Sequence, residues 1–172
     1  MTGREGSTEI LPTEILEEEH DDVTQKLDAL EEVTHHLDKK GEISAQLKEL
    51  AAFFKTDFWI HFTKEEEALF PEIEKFMPRE SGPVGVMLTE HEDLRNTNAE
   101  MQSVIDEYLR DADNSEAKGM IQRYGTHFIG VLRDHIAKEN DILFMMADMH
   151  LDQAQVDKVL RLFHEIEKGP RQ

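Results

Sequence analysis

The sequence contains no cysteine. Disulfides, thiolate metal ligands and thiol nucleophiles are therefore excluded. Proline occurs only five times and tryptophan once. No run approaches the roughly 18 apolar residues of a membrane-spanning helix. The opening MTGREGSTEILPTEILEEEH has no apolar stretch of the signal-peptide kind. A cytoplasmic location is the default expectation. Positive charge is scarce as well: 19 Lys and Arg stand against 38 Asp and Glu, a formal net charge of −19. Nucleic acid and anionic membranes need a positive footprint, so neither is expected as a partner. Strand-like alternation and Asn-Gly hairpins are missing. So are a nucleophile triad, a phosphate-binding loop and an HExxH zinc motif, and no residue is assigned a catalytic role.

What remains is a helical pattern. The length of 172 residues suits a single domain with one real core. Residues 1–11 read as a flexible polar segment and 12–168 as the domain. Along the first pattern, Leu16, His20, Val23, Leu27, Leu30, Thr34 and Leu37 step by four and three, as on a helix laid against a bundle seam. Lys39-Lys40-Gly41 reads as its close. The second stripe is Ile43, Leu47, Leu50, Phe54, Asp57, His61, Glu65 and Ala68, with Pro71 expected to kink or end it. After a turn cluster at 78–85, the third stripe is Val84, Met87, His91, Leu94, Asn98, Met101, Ile105 and Tyr108. Residues 111–119 hold the next break. The fourth stripe is Ile121, Tyr124, Phe128, Val131, His135, Ile142 and Met146, and a shorter helix follows Asp152. The expected fold is all-α: an up-down-up-down antiparallel four-helix bundle with an additional short C-terminal helix.

Two segments nearly repeat: HFTKEEEALF at 61–70 and HIAKENDILF at 135–144. Each places Glu one helical turn after His, so the two side chains share a face. His20, His61, His91 and His135 occupy one inward slot on each long helix, and Glu65 and Glu139 accompany two of them. Counting residues from the loops near Gly41 and 113 puts the His residues level across two crossings. The crossing at 78–82 matches less well. A lone His on an apolar face is most often a hydrogen-bonded core residue, and a Glu in a charge-rich stretch is often solvated. Four inward His at one level, two followed by Glu, make a metal site the better reading. Six ligands are too many for one tetrahedral zinc. Carboxylates bridge pairs of cations, and imidazole suits iron, zinc and copper. Two irons joined by both Glu and by an oxide or hydroxide would each keep one open position.

Other polar residues invite weaker readings. Asp57, Asn98 and His127 are expected towards one end of the bundle, as a hydrogen-bonded patch or as a water-filled path to the centre. Glu19 and Glu90 each precede a ligand His and are candidates to orient an imidazole. His35 and His36 read as favourable cations near a helix C-terminus, and His150 and His164 as surface. Trp59, the Phe residues and the Met residues read as packing.

On the segments EEEH ending at His20, HFTKE with the following ALFP, TEHEDLR around His91, and HIAKENDILF, the chain resembles the hemerythrin-like family, the HHE cation-binding domain, over residues 12–168. The resemblance implies a non-haem di-iron centre with Glu65 and Glu139 bridging. Respiratory hemerythrins carry a fifth His one turn from another on the third helix. Here those positions are Met87 and Arg95. The four-His, two-Glu set is more similar to the branch involved in iron-centre repair under nitrosative stress. The expected function is interaction with oxygen, nitric oxide or peroxide, in stress response or iron handling. A repair factor or iron donor for damaged iron–sulfur centres, and a reversible oxygen binder, are the alternatives. Any turnover would be of di-iron oxidoreductase type. A homodimer and an apo-protein iron acceptor stay open as partners.

Overall fold

The computed structural model describes residues 10–110 and 115–169. The helices are α1 (Pro12–Thr34), α2 (Lys40–Lys55), α3 (Asp57–Lys64), α4 (Phe70–Ile73), α5 (Pro83–Arg110), α6 (Ser115–Lys138), α7 (Phe144–His150) and α8 (Gln153–Glu167). No strand occurs among the described residues. Four arms run up and down: α1, then α2–α3–α4, then α5, then α6–α7. In cross-section α1 packs on α2 and α6, and α5 packs on the same two, which closes the square. The last helix, α8, returns along α3 and α1. This is the all-α bundle that the periodicity predicts.

Local chemistry sets the ends. Pro12 opens α1, where its missing N–H costs nothing, and the Glu14 carboxylate accepts from the Leu11 N–H at 2.7 Å. Asp152 caps α8 by accepting from the Gln155 N–H at 2.8 Å. The first loop lies earlier than expected. α1 ends at Thr34, and Gly41 belongs to the first turn of α2 rather than closing α1. Burial of Leu37 pins the turn, and the Tyr108 hydroxyl donates to its carbonyl at 2.6 Å. At the second crossing α4 stops at Ile73, and residues 74–82 are turn and 3₁₀ helix that add length without matching axial rise. That explains the uneven residue count there. The expected loose segment falls mostly on residues 1–9, outside the described residues, as do residues 111–114 of the third break.

Both near-repeated segments contain a wide π turn, Glu65–Leu69 and Glu139–Leu143. The Phe70 N–H donates to the Glu65 carbonyl and the Phe144 N–H to the Glu139 carbonyl, five residues back in each case. Such a turn inserts one residue into the helical phase. Ile142 and Met146, expected on the inward stripe, are consequently displaced from it. Ile142 is 49% exposed, while Leu143 and Ala147 take the buried places.

The interior has two apolar clusters. One includes Val23, Leu27, Phe54, Phe58, Phe62, Leu94 and Leu132 and extends to Tyr108. The other includes Leu16, Ala68, Phe70, Met87, Leu143, Phe144 and, from α8, Val159 and Phe163. Full burial of each large side chain contributes roughly 1.5–3 kcal/mol. Every arm crosses from one cluster to the other through its His residue. The polar layer is thus sealed by apolar packing above and below.

Candidate metal centre

Helical spacing aims the six residues. His20 lies between buried Leu16 and Val23, and His91 between buried Met87 and Leu94, so their rings cannot turn outward. His61 and Glu65 share a face, as do His135 and Glu139. His20 and His61 are 2% and 5% exposed, and the other four are fully buried.

Their ligand atoms form two quartets, each with its atoms within 4.8 Å of one another: His20, His61, Glu65 and Glu139, and His91, His135, Glu65 and Glu139. The two Glu residues belong to both. His61 Nε2 lies 3.0 Å from Glu65 Oε2, and His20 Nε2 lies 3.0 Å from Glu139 Oε1. The opposite oxygens face the other pair. Glu65 Oε1 is 3.1 Å from His91 Nε2, and Glu139 Oε2 is 3.1 Å from His135 Nε2. Within pairs, the Nε2 atoms of His20 and His61 are 3.1 Å apart and those of His91 and His135 are 3.2 Å apart. A first-row metal ion with bonds of about 2.1 Å holds neighbouring ligand atoms about 3 Å apart. The donor spacing therefore suits two such ions.

Every Nδ1 is engaged on its outer side. His61 Nδ1 meets Glu19 at 2.8 Å, His135 Nδ1 meets Glu90 at 2.9 Å, His91 Nδ1 meets Glu66 at 2.6 Å and His20 Nδ1 meets Asn140 Oδ1 at 2.8 Å. These acceptors draw the ring proton to Nδ1 and leave the Nε2 lone pair directed at the centre. Ring lone pairs then face each other and face carboxylates. The four carboxylate oxygens of Glu65 and Glu139 are buried and receive no hydrogen bond. Buried oxygens of that kind are costly unless a cation meets them. The donor set and its orphaned oxygens fit a pair of metal cations.

Burial, reinforced by Glu139, pushes the Glu65 carboxyl up to about 8. Burial acts against the charged His135 imidazole, but Glu139 and Glu90 outweigh it and raise it to about 10. Burial would also raise Glu66, yet hydrogen bonds from His91 and Arg95 bring it down to about 2. The hydrogen bond from His135 is the main cause that lowers Glu90.

Glu19 and Glu90 do meet imidazoles, but each reaches the His of the neighbouring arm rather than the one beside it in sequence. Each also takes a lysine, Lys64 on Glu19 and Lys138 on Glu90. Lys64 is 2% exposed, pairs in addition with Glu167 of α8, and lies over the Phe163 ring. Asp57, Asn98 and His127, expected as one patch or path, do not come together. Asp57 is exposed at the start of α3 and lines a surface cavity that also reaches His61. Asn98 is buried and donates to the Phe54 carbonyl at 3.0 Å. His127 is 51% exposed, pairing with Asp93 at 3.1 Å. Their spacing along the helices was compatible with one end of the bundle, but the helix is interrupted at Thr56 directly before Asp57, and Asn98 and His127 on α5 and α6 meet different partners.

Sequence reasoning missed Glu66 and Asn140. Each directly follows a Glu of the near-repeat, and that matched position was the available signal. Met87 and Arg95 are not aimed at the centre. Met87 packs in the second apolar cluster, and Arg95 binds Glu66 at 2.8 Å. Among the remaining His residues, His36 Nδ1 donates to the Glu32 carbonyl at 2.9 Å near the end of α1. Exposed His150 packs its ring against Phe76, and His164 is exposed on α8.

No helix among the described residues is long and apolar enough to cross a membrane. Comparison with curated proteins finds similarity to iron–sulfur cluster repair proteins. The YtfE protein of Enterobacter sp. (strain 638) is 28% identical over 113 residues, 65% of this chain and 51% of that protein. YtfE of Musicola paradisiaca (strain Ech703) is 34% identical over 88 residues, 51% of this chain and 40% of that protein. DnrN of Neisseria gonorrhoeae is 29% identical over 101 residues, 58% of this chain and 64% of that protein. The matched part is thus less than two thirds of each relative's length. The model of the hemerythrin HHE cation binding domain matches residues 11–147, which include all six converging residues. The chain belongs to the hemerythrin HHE cation-binding domain family.

Proposed function

We propose that the chain holds two iron ions and meets small diatomic or oxidising ligands there, in stress response or iron handling. One observation carries the reading: four buried, unpartnered carboxylate oxygens face four imidazole Nε2 atoms in two quartets that share both carboxylates. His20 and His61 would hold one ion, His91 and His135 the other, with Glu65 and Glu139 spanning both and an oxide or hydroxide completing the bridge. Bound iron supplies open coordination positions and a source of electrons for oxygen, nitric oxide or peroxide. The protein supplies the rest. Glu19, Glu66, Glu90 and Asn140 hold the imidazoles in one tautomer and orientation. Phe62 stacks on His91 at 3.6 Å between ring centroids, and Phe144 stacks on His20 at 5.5 Å. Between Val23, Phe58, Leu132 and Ile136 an apolar seam reaches His20, His61 and His135. It is closed to a water-sized molecule, so a diatomic demands far less displacement of side chains than any organic substrate would.

A second reading is favoured by the relatives, whose names describe iron–sulfur cluster repair. In that reading the centre donates iron to a damaged apo-protein. Met87 and Arg95 in place of a fifth His argue against simple oxygen carriage. Elemental analysis of iron-loaded protein tests the centre itself. Two irons per chain are expected, and saturation at one refutes the dinuclear reading. Optical spectra with oxygen, nitric oxide and peroxide added in turn, beside iron transfer to an apo iron–sulfur protein, separate the two roles.

A further inference from the structure

We infer that the two metal positions are unequal, and that the His20–His61 position is the one that exchanges its ion, because Asn140 stands where the other half of the centre has Glu66. The inference rests on the dinuclear reading above.

The centre is built from two similar halves. Glu19-His20 on α1 matches Glu90-His91 on α5, and HFTKE matches HIAKE. Glu19 serves His61 and takes Lys64, while Glu90 serves His135 and takes Lys138. One imidazole of each pair therefore has a like partner, a carboxylate tied to a lysine. The other imidazoles differ. His91 Nδ1 meets the Glu66 carboxylate at 2.6 Å, and His20 Nδ1 meets the neutral Asn140 carbonyl at 2.8 Å. Charge-assisted hydrogen bonds are shorter and about twice as strong as neutral ones. A carboxylate drawing on Nδ1–H makes the opposite nitrogen a better donor to a metal. Arg95 shares the Glu66 carboxylate but is itself 40% exposed, so solvent screens its charge more than that of the buried His91 contact.

Access points the same way. His91 and His135 are fully buried, while His20 and His61 are 2% and 5% exposed. A surface cavity of about 500 Å³ reaches His61, and its walls combine apolar Val23 and Phe58 with Lys64 and the carboxylates of Glu19, Asp22 and Asp57. Entering and departing cations meet this half of the centre first.

The test loads the full chain with two equivalents of Co²⁺ and challenges it with excess EDTA, following visible absorption and residual cobalt. Two phases of one equivalent each are expected, roughly tenfold or more apart, the scale on which such outer partners change metal affinity. Asn140→Asp should slow the fast phase towards the slow one, and Glu66→Gln should speed the slow phase. Both variants should still load two equivalents; if one does not, the other decides by the same criterion. Release of both equivalents in one phase overturns the inference while leaving the dinuclear reading standing. So does a fast phase that ignores Asn140→Asp, or a slow phase that ignores Glu66→Gln. Wild-type saturation at one equivalent of cobalt and of iron overturns the dinuclear reading and the inference with it.

Discussion

Replacing Glu65 by Gln should stabilise the metal-free chain and weaken the metal-loaded one. Glu65 is fully buried, and its carboxyl is pushed from 4.5 up to about 8 by burial and by Glu139. The folded chain therefore keeps a proton that the unfolded chain releases near pH 4.5. An acid raised on folding costs stability as pH rises through that window. The slope is about 1.4 kcal/mol per pH unit. Between pH 4.5 and 7 the loss reaches about 3 kcal/mol, and it levels off above the folded value. Glutamine has nearly the same shape and nothing to titrate. In chelator at pH 7, Glu65→Gln should gain stability up to about 3 kcal/mol over the parent chain, with the difference fading towards pH 4.5. With metal the order reverses, because the amide lacks the charge that two cations require. Urea unfolding at several pH values, with and without iron, measures both effects. A metal-free Glu65→Gln chain less stable than the parent at pH 7, with an unchanged pH slope, would refute the account of a Glu65 carboxyl raised by burial and by Glu139.

Acid should loosen the C-terminal helix early. Burial opposes ionisation of Glu72, but hydrogen bonds from Lys75, Lys158 and Gln155 bring it down to about 2. A depressed carboxylate contributes stability above its unfolded value of 4.5 that disappears as pH falls towards 2. Limited proteolysis between pH 5 and 2.5 should show α8 released progressively in the parent chain and already loosened at pH 5 in Glu72→Gln; equal profiles would remove Glu72 from the tether. Phe62→Ala should cost about 3–5 kcal/mol, as a buried Phe truncated to Ala does. It also removes the ring stacked on His91, so thermal melting and iron retention should fall together, and retention matching the parent would mean that Phe62 is packing alone.

The sequence by itself determines the bundle and the inward set. A period of 3.6 residues is visible wherever apolar residues recur every three or four positions. It carries His20, His61, Glu65, His91, His135 and Glu139 along because they occupy slots on the same stripes. Their common depth was legible only in part: the count is even about the break near 113, but the first loop lies earlier than Gly41 and the 78–82 crossing adds residues without axial rise. The hydrogen-bonded surroundings were not legible. Glu19 and Glu90 each sit beside one His yet serve another, and Glu66 and Asn140 reach across in the same way. A residue one step along a helix faces about 100° away from its neighbour, and only the packed partner arm decides what it meets. The π turns after Glu65 and Glu139 were hidden too. A single inserted residue leaves composition unchanged and moves Ile142 out and Leu143 in, and only the backbone hydrogen bonds of the folded chain display it. Asp57, Asn98 and His127 looked alike as polar groups near one end of the bundle. Tertiary structure separated them, since spacing along one helix does not say which neighbouring arm a side chain meets: Asn98 turns onto a buried carbonyl, His127 onto Asp93, and Asp57, after a break at Thr56, onto a surface cavity.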